Sequence, residues 1–201
     1  MLLDPATSSV LRIIALQYNP DTLTRSLQVK GVGAESGDRS EALRLKGPPV
    51  ETFKLDAEID ATDQLEVADS QTTQLGIHPQ LAVLETIIYP KSAQLSANNN
   101  LARSGVLEIT PMQAPLTLFV WSKSRVIPVR LTEFSVTEEA FDAALNPIRA
   151  KVSLGMRVLS VDDVGFEHRA GGLFMSYLRQ KEQYAERAAK GTFAALGSPV
   201  L

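Results

Sequence analysis

Between Phe53 and Asp60 apolar and polar residues alternate without a break: Phe53, Leu55, Ala57 and Ile59 take one parity, Lys54, Asp56, Glu58 and Asp60 the other. Successive strand side chains point to opposite faces, so the pattern predicts a strand with one face on a core and one on water or a partner. Asp60-Ala61-Thr62-Asp63 ends it. The same period returns from Ile148 to Val161, where Ile148, Ala150, Val152, Leu154 and Met156 oppose Arg149, Lys151, Ser153 and Arg157. Between these lie a buried-type run, Pro115 to Trp121, and a longer strand, Val126 to Phe141. In the longer strand Ile127, Val129 and Leu131 share a parity that Phe134 and Val136 do not. A switch of face near Glu133 predicts a bulge or bend, because one extra residue swaps the two faces.

Near the N-terminus, Leu11 to Tyr18 reads as a strand stopped by Asn19-Pro20, and Thr22 to Val29 as the next. Residues 31–49, rich in Gly, Ser and charge and closing on Pro48-Pro49, form a long loop or arm. From Gly76 the period lengthens. Pro79 suits a first helical turn, and Leu81, Leu84 and Ile88 predict one short amphipathic helix packed on the sheet, ending at Tyr89-Pro90. Asn98 to Gly105 reads as a polar loop, and Asn146-Pro147 as a turn. Gly171-Gly172 separates the last strand from a C-terminal helix with Leu173, Tyr177 and Tyr184 along one side and Phe174 and Leu178 beside them. Gly191 is placed to cap it, and packing on its own domain is the expected role. Consecutive strands joined by turns predict a mainly β (α+β) fold, a β-barrel or sandwich over residues 8–162, with a C-terminal linker and helix over 163–201.

Composition narrows the classes. Hydrophobic residues make up 44% of the 201, enough for a core, and 20 basic against 23 acidic residues leave no basic excess for binding nucleic acid. The absence of cysteine removes disulfides, thiolate metal sites and a cysteine nucleophile. No run reaches the roughly 20 apolar residues of a membrane-spanning helix, and Asp4-Pro5 interrupts the N-terminal segment where a signal peptide needs its apolar stretch. The expectation is no membrane insertion and assembly in the cytoplasm.

Candidate chemistry is sparse. The two histidines, His78 before Pro79 and His168 in a predicted linker, have no second ligand at metal spacing and read as surface, capping or linker residues. No serine sits in a G-x-S-x-G elbow, and Gly31-Val32-Gly33 lacks the third glycine of a dinucleotide fingerprint. Asp56, Glu58 and Asp60 share a strand face and have the charge to hold a cation or to serve as a dispersed catalytic pair, but a solvated or lumen-facing acidic face is the simpler reading. Asp162-Asp163 and Glu138-Glu139 read as turn and strand-edge charges, and Trp121 as a core or interface aromatic. The sequence therefore assigns no catalytic residue, no cofactor and no metal ligand, and predicts a protein that is not an enzyme.

Four segments in order carry a resemblance: LQYNPDTLTRS, PPVETFKLDAEIDATD, APLTLFVWSKSRVIPVRLTEFSVTEEAF and NPIRAKVSLGMRV, together spanning roughly residues 11–160. In this order they resemble the tube-type proteins of contractile injection systems, the phage-tail-like machines, and among them the baseplate adaptor that joins central spike to inner tube. That family has a strand ending in Asn-Pro, an alternating strand ending in Asp-Ala-Thr-Asp, a Pro-led strand reaching Trp, and a last strand opening with Arg-Ala. Two departures stand out. Ser122 follows the tryptophan where the family often has Gly, and the tail after Val161 lacks the pattern of the glycan-associated LysM module that many relatives carry.

The resemblance implies a tail-tube-like β domain in a homo-hexameric ring, with heterologous contacts that close on themselves. The implied partners are copies of itself, a spike or hub protein, the inner tube protein and other baseplate subunits, without nucleic acid. The implied function is a structural adaptor that joins spike to tube and templates tube assembly within an injection particle, released or cell-anchored. An inner tube subunit of the same machine is the alternative, and a monomeric β-barrel ligand-binding module a more distant one.

Overall fold

The computed structural model describes residues 1–4, 7–31, 44–105 and 114–188. Among them seven strands form one antiparallel sheet in the order β2-β1-β5-β6-β7-β4-β3, accompanied by six helices. The strands are β1 (Leu2–Leu3), β2 (Val10–Arg12), β3 (Thr24–Gln28), β4 (Val50–Asp60), β5 (Leu116–Ser122), β6 (Arg125–Phe141) and β7 (Pro147–Val158). Between β4 and β5 come α1 (Thr62–Glu66), α2 (Ser70–Leu75), α3 (His78–Glu85) and α4 (Ser92–Arg103). After β7 come α5 (Val161–Val164) and α6 (Arg169–Arg187). The α+β, mainly β class expected from the pattern is the observed one.

β4 follows its alternation to the residue. Phe53, Leu55, Ala57 and Ile59 are buried and Lys54, Asp56 and Glu58 exposed. It pairs with β7 from Thr52↔Arg157 to Asp60↔Arg149, which sets apolar against apolar: Phe53 beside Met156, Ala57 beside Val152, Ile59 beside Ala150. β6 pairs β7 on its other side, and its register shifts between Leu131 and Glu133, at the predicted switch of parity. Before the shift Ile127, Val129 and Leu131 meet the core; after it Phe134 and Val136 do. The bulge brings Glu133 hard against β7, where a Cβ on Gly155 would lie 2.7 Å from the Glu133 Cβ. Glycine fits there because it has no side chain to collide.

Two main apolar clusters result. One gathers Phe53, Leu55, Ile127, Val129, Met156 and Val158 with Phe174 and Tyr177 of α6. The other gathers Ile59, Ala150 and Val152 with Ile77, Leu81 and Leu84 at α3. A smaller one joins Leu3, Leu116 and Leu118 to Ala170. The C-terminal helix thus shares the core of the sheet.

Several expectations change. The sheet is open, not a closed barrel or sandwich: β2 and β3 are its two margins and do not pair with each other. The predicted strand Leu11 to Tyr18 is a strand only at Val10–Arg12. Further on, Gln17 replaces ladder pairing with its side chain: its Nε2 donates to the Asp60 carbonyl at 2.7 Å, and its Oε1 accepts from the Asp60 amide at 2.9 Å. Ile14 and Leu16 still pack on the clusters, so burial alone drew the apolar pattern.

The single short helix becomes four, because Asp60-Ala61-Thr62-Asp63 both ends β4 and begins α1. The polar loop Asn98 to Gly105 is largely the second half of α4, ended by Arg103 in its last turn and by Gly105 at φ +85°. No residue of α4 is buried, so no apolar stripe announced it. Gly171-Gly172 lies inside α6, not before it. A Cβ on Gly171 would stand 2.1 Å from the Gly165 carbonyl oxygen, so this glycine serves close packing of the helix on the preceding turn. Most of the 31–49 arm and the predicted cap at Gly191 lie outside the described residues; the arm's stem is a bridge between Gly31 and Leu45.

Candidate assembly interface

The sheet margins are the most unfinished part of the fold. Every residue of β2 and every residue of β3 is exposed, and among the described residues each strand has a backbone partner on one side only. Strand edges carry unpaired N–H and C=O groups that water or another strand must satisfy. Apolar side chains accompany them: Val10 and Leu11 on β2, Leu27 on β3, and Val29 and Leu45 at the stem of the arm, all at least 45% exposed.

The polar face of the three long strands is a lattice of opposite charges. Lys54 Nζ lies 2.7 Å from Glu133 across Gly155, Lys151 lies 3.1 Å from Glu139, and Arg149 lies 2.7 Å from Asp60 and 3.6 Å from Glu58. The Ser153 hydroxyl donates to Asp56. The acidic row read from the sequence therefore does not converge on a cation position; its carboxylates are met from β7, Asp56 by Ser153 and Glu58 and Asp60 together by Arg149. Asp60 is held below the usual carboxylate range, chiefly by the Thr62 hydroxyl, against the opposing pull of burial and with help from Arg149. Among the described residues no group of His, Asp or Glu is arranged to hold a metal ion.

The other candidates sit apart. His78 is an exposed first residue of α3 whose side chain caps nothing. His168 is not a linker residue but the N-cap of α6, its Nδ1 accepting from the Ala170 amide at 3.1 Å. Asp163 completes a capping box with Ser160, and Asp162 meets Lys30 at 2.9 Å. Glu138 and Glu139 lie on β6. Gly31 forms the stem bridge, and Val32-Gly33 fall outside the described residues. Trp121 is the last residue but one of β5, 39% exposed, its ring 5.7 Å from Phe119, which in turn lies 5.8 Å from Phe53. Phe119 and Trp121 help line a cleft of about 690 Å³ with Leu16, Tyr18, Leu131 and Met156, and none of its lining side chains is charged.

One buried charged residue escaped the sequence reading. Glu51 shares the parity of Phe53 and is buried. Its carboxylate accepts from the Tyr177 hydroxyl and from Lys181 Nζ, each at 2.7 Å, with Arg25 Nε at 3.9 Å. The signal was a charged residue on the apolar parity of an alternating strand, a placement that demands a partner. No helix among the described residues is long and apolar enough to cross a membrane. No protein-family model matches the chain, and no curated protein matches it in sequence.

Proposed function

We propose that this chain is a structural adaptor of a contractile injection system, a ring-forming subunit that joins the spike hub to the inner tube and gives tube subunits a surface on which to polymerise. The observation that carries the reading is the pair of open sheet margins. β2 and β3 stand at opposite ends of one sheet, both short and fully exposed. Pairing β2 of one copy with β3 of the next is a heterologous contact, and such contacts close into rings when the rotation per copy allows. The order of the four resembling segments supports placing that ring in an injection machine. The face of paired charges supports a role through shape and contact without turnover.

The test is electron microscopy of injection particles assembled without this protein. Spike complexes without tubes are expected, together with rings of the purified chain by light scattering after size exclusion. Normal particles in its absence, or a strictly monomeric chain that fails to join a spike complex, would overturn the reading. Tubes built from this chain itself would make it the inner tube subunit instead.

A second reading rests on the uncharged cleft of about 690 Å³, within the size range of small-molecule sites. A monomeric binding module would quench or shift Trp121 fluorescence on taking up an uncharged apolar probe, at a stoichiometry of one per chain.

A further inference from the structure

Glu51 ties together three elements distant in sequence. It lies on β4, opposite Leu27 of the margin strand β3, and its carboxylate is met from two other elements: Tyr177 and Lys181 from α6, Arg25 from β3. The cluster is compact, with Lys181 Nζ 4.1 Å from the centre of the Tyr177 ring. Glu51 is 3% exposed, so its carboxyl group depends on these donors in place of water. The first half of α6 has independent anchors in Ala170 and Phe174. From its middle onward the helix is held by Tyr177, by Leu178 against the apolar cluster and by Lys181, and from Glu182 every described residue is exposed.

We propose that the second half of α6 is a control element for the β3 margin: while Tyr177 and Lys181 hold Glu51, the start of β4 stays seated and β3 is ordered for pairing, and when α6 lifts, the margin loosens. Lifting α6 takes both close donors from the carboxylate and leaves it Arg25 alone, at 3.9 Å. The local escape is for the first residues of β4 to turn outward, and Gln28↔Val50 and Leu27↔Glu51 are the pairs that break. The inference rests on the margin being an assembly surface, and it supplies that surface with a means of regulation: a partner that captures α6 disarms the edge, and one that clamps α6 arms it. Coupling of this kind is reciprocal. Loosening Arg25 must loosen the end of α6.

Hydrogen exchange of the full-length chain tests this without any partner. In a Tyr177→Phe, Lys181→Met variant, amides of residues 24–28 and 50–52 are expected to exchange at least about tenfold faster, given what breaking a buried ion pair costs. Amides of the β6–β7 pairing should keep their wild-type rates. Arg25→Met should speed exchange in residues 178–187. Faster exchange in α6 with no change at β3 overturns the proposal, and so does a uniform acceleration across the sheet. Should the double variant fail to fold, Glu51→Leu, Tyr177→Phe, Lys181→Leu replaces the charges by an apolar contact. Wild-type protection of β3 there supports the proposal, and lost protection with α6 still docked overturns it. Coupling in a chain that never forms rings would remove the adaptor reading alone; rings from a chain without coupling would remove this one alone.

Discussion

Asp142 sits in the turn between β6 and β7, where its carboxylate accepts from the Asn146 side chain and amide and from the Ala144 amide, each at 2.8 Å. The Asn146 bonds hold it below the ordinary carboxylate range. Asp69, through Thr72, and Asp60, through Thr62, are lowered likewise. Burial pushes Asp163 up, yet the bonds from Ser160 and Arg157 leave it lowered on balance. A carboxyl whose folded pKa lies below its unfolded value binds fewer protons folded than unfolded. Its contribution is therefore complete above the ordinary Asp range and is lost as pH falls through the folded value. Urea midpoints should stay level from neutrality to about pH 5 and then decline, with a shallower decline in Asp142→Asn. Gly171 makes a different demand. Gly171→Ala places a methyl against the Gly165 carbonyl and should cost about 1–3 kcal/mol in urea unfolding, as overpacking does.

Strands with one buried face were legible because solvent on one side and core on the other print a period of two. β4, β7 and the bulge in β6 follow from that alone. Elements that bury nothing print no period, which is why α4 read as a loop. The run from Ile13 to Tyr18 failed in the opposite way. It is apolar because it packs, but its tie to β4 passes through the Gln17 carboxamide, and no pattern of hydrophobicity encodes that. Gln17→Ala removes both bonds and should cost about 1 kcal/mol, the usual worth of exposed hydrogen bonds, with faster exchange confined to the Asp60 amide and its neighbours. Glu51 was visible in the sequence as an exception to its strand, but its partners on α6 lie more than a hundred residues away and only the fold brings them together.

At the scale of the molecule, the open margins make a prediction that needs no knowledge of the machine. A lysine on an edge strand opposes strand-to-strand addition by requiring hydration where a neighbour would lie. Leu27→Lys on β3 and Leu11→Lys on β2 are exposed substitutions and should each leave unfolding within about 0.5 kcal/mol of wild type. Each should nevertheless convert the proposed rings to monomers in light scattering; rings surviving both would move the interface elsewhere. The ion-pair lattice on the opposite face has a separate consequence. Because lysine and arginine side chains meet carboxylates of the neighbouring strands, much of the charge on this surface is offset in place, and what field it projects is screened within a Debye length. A charged group brought up to it would meet alternating signs a few ångströms apart instead of one continuous patch.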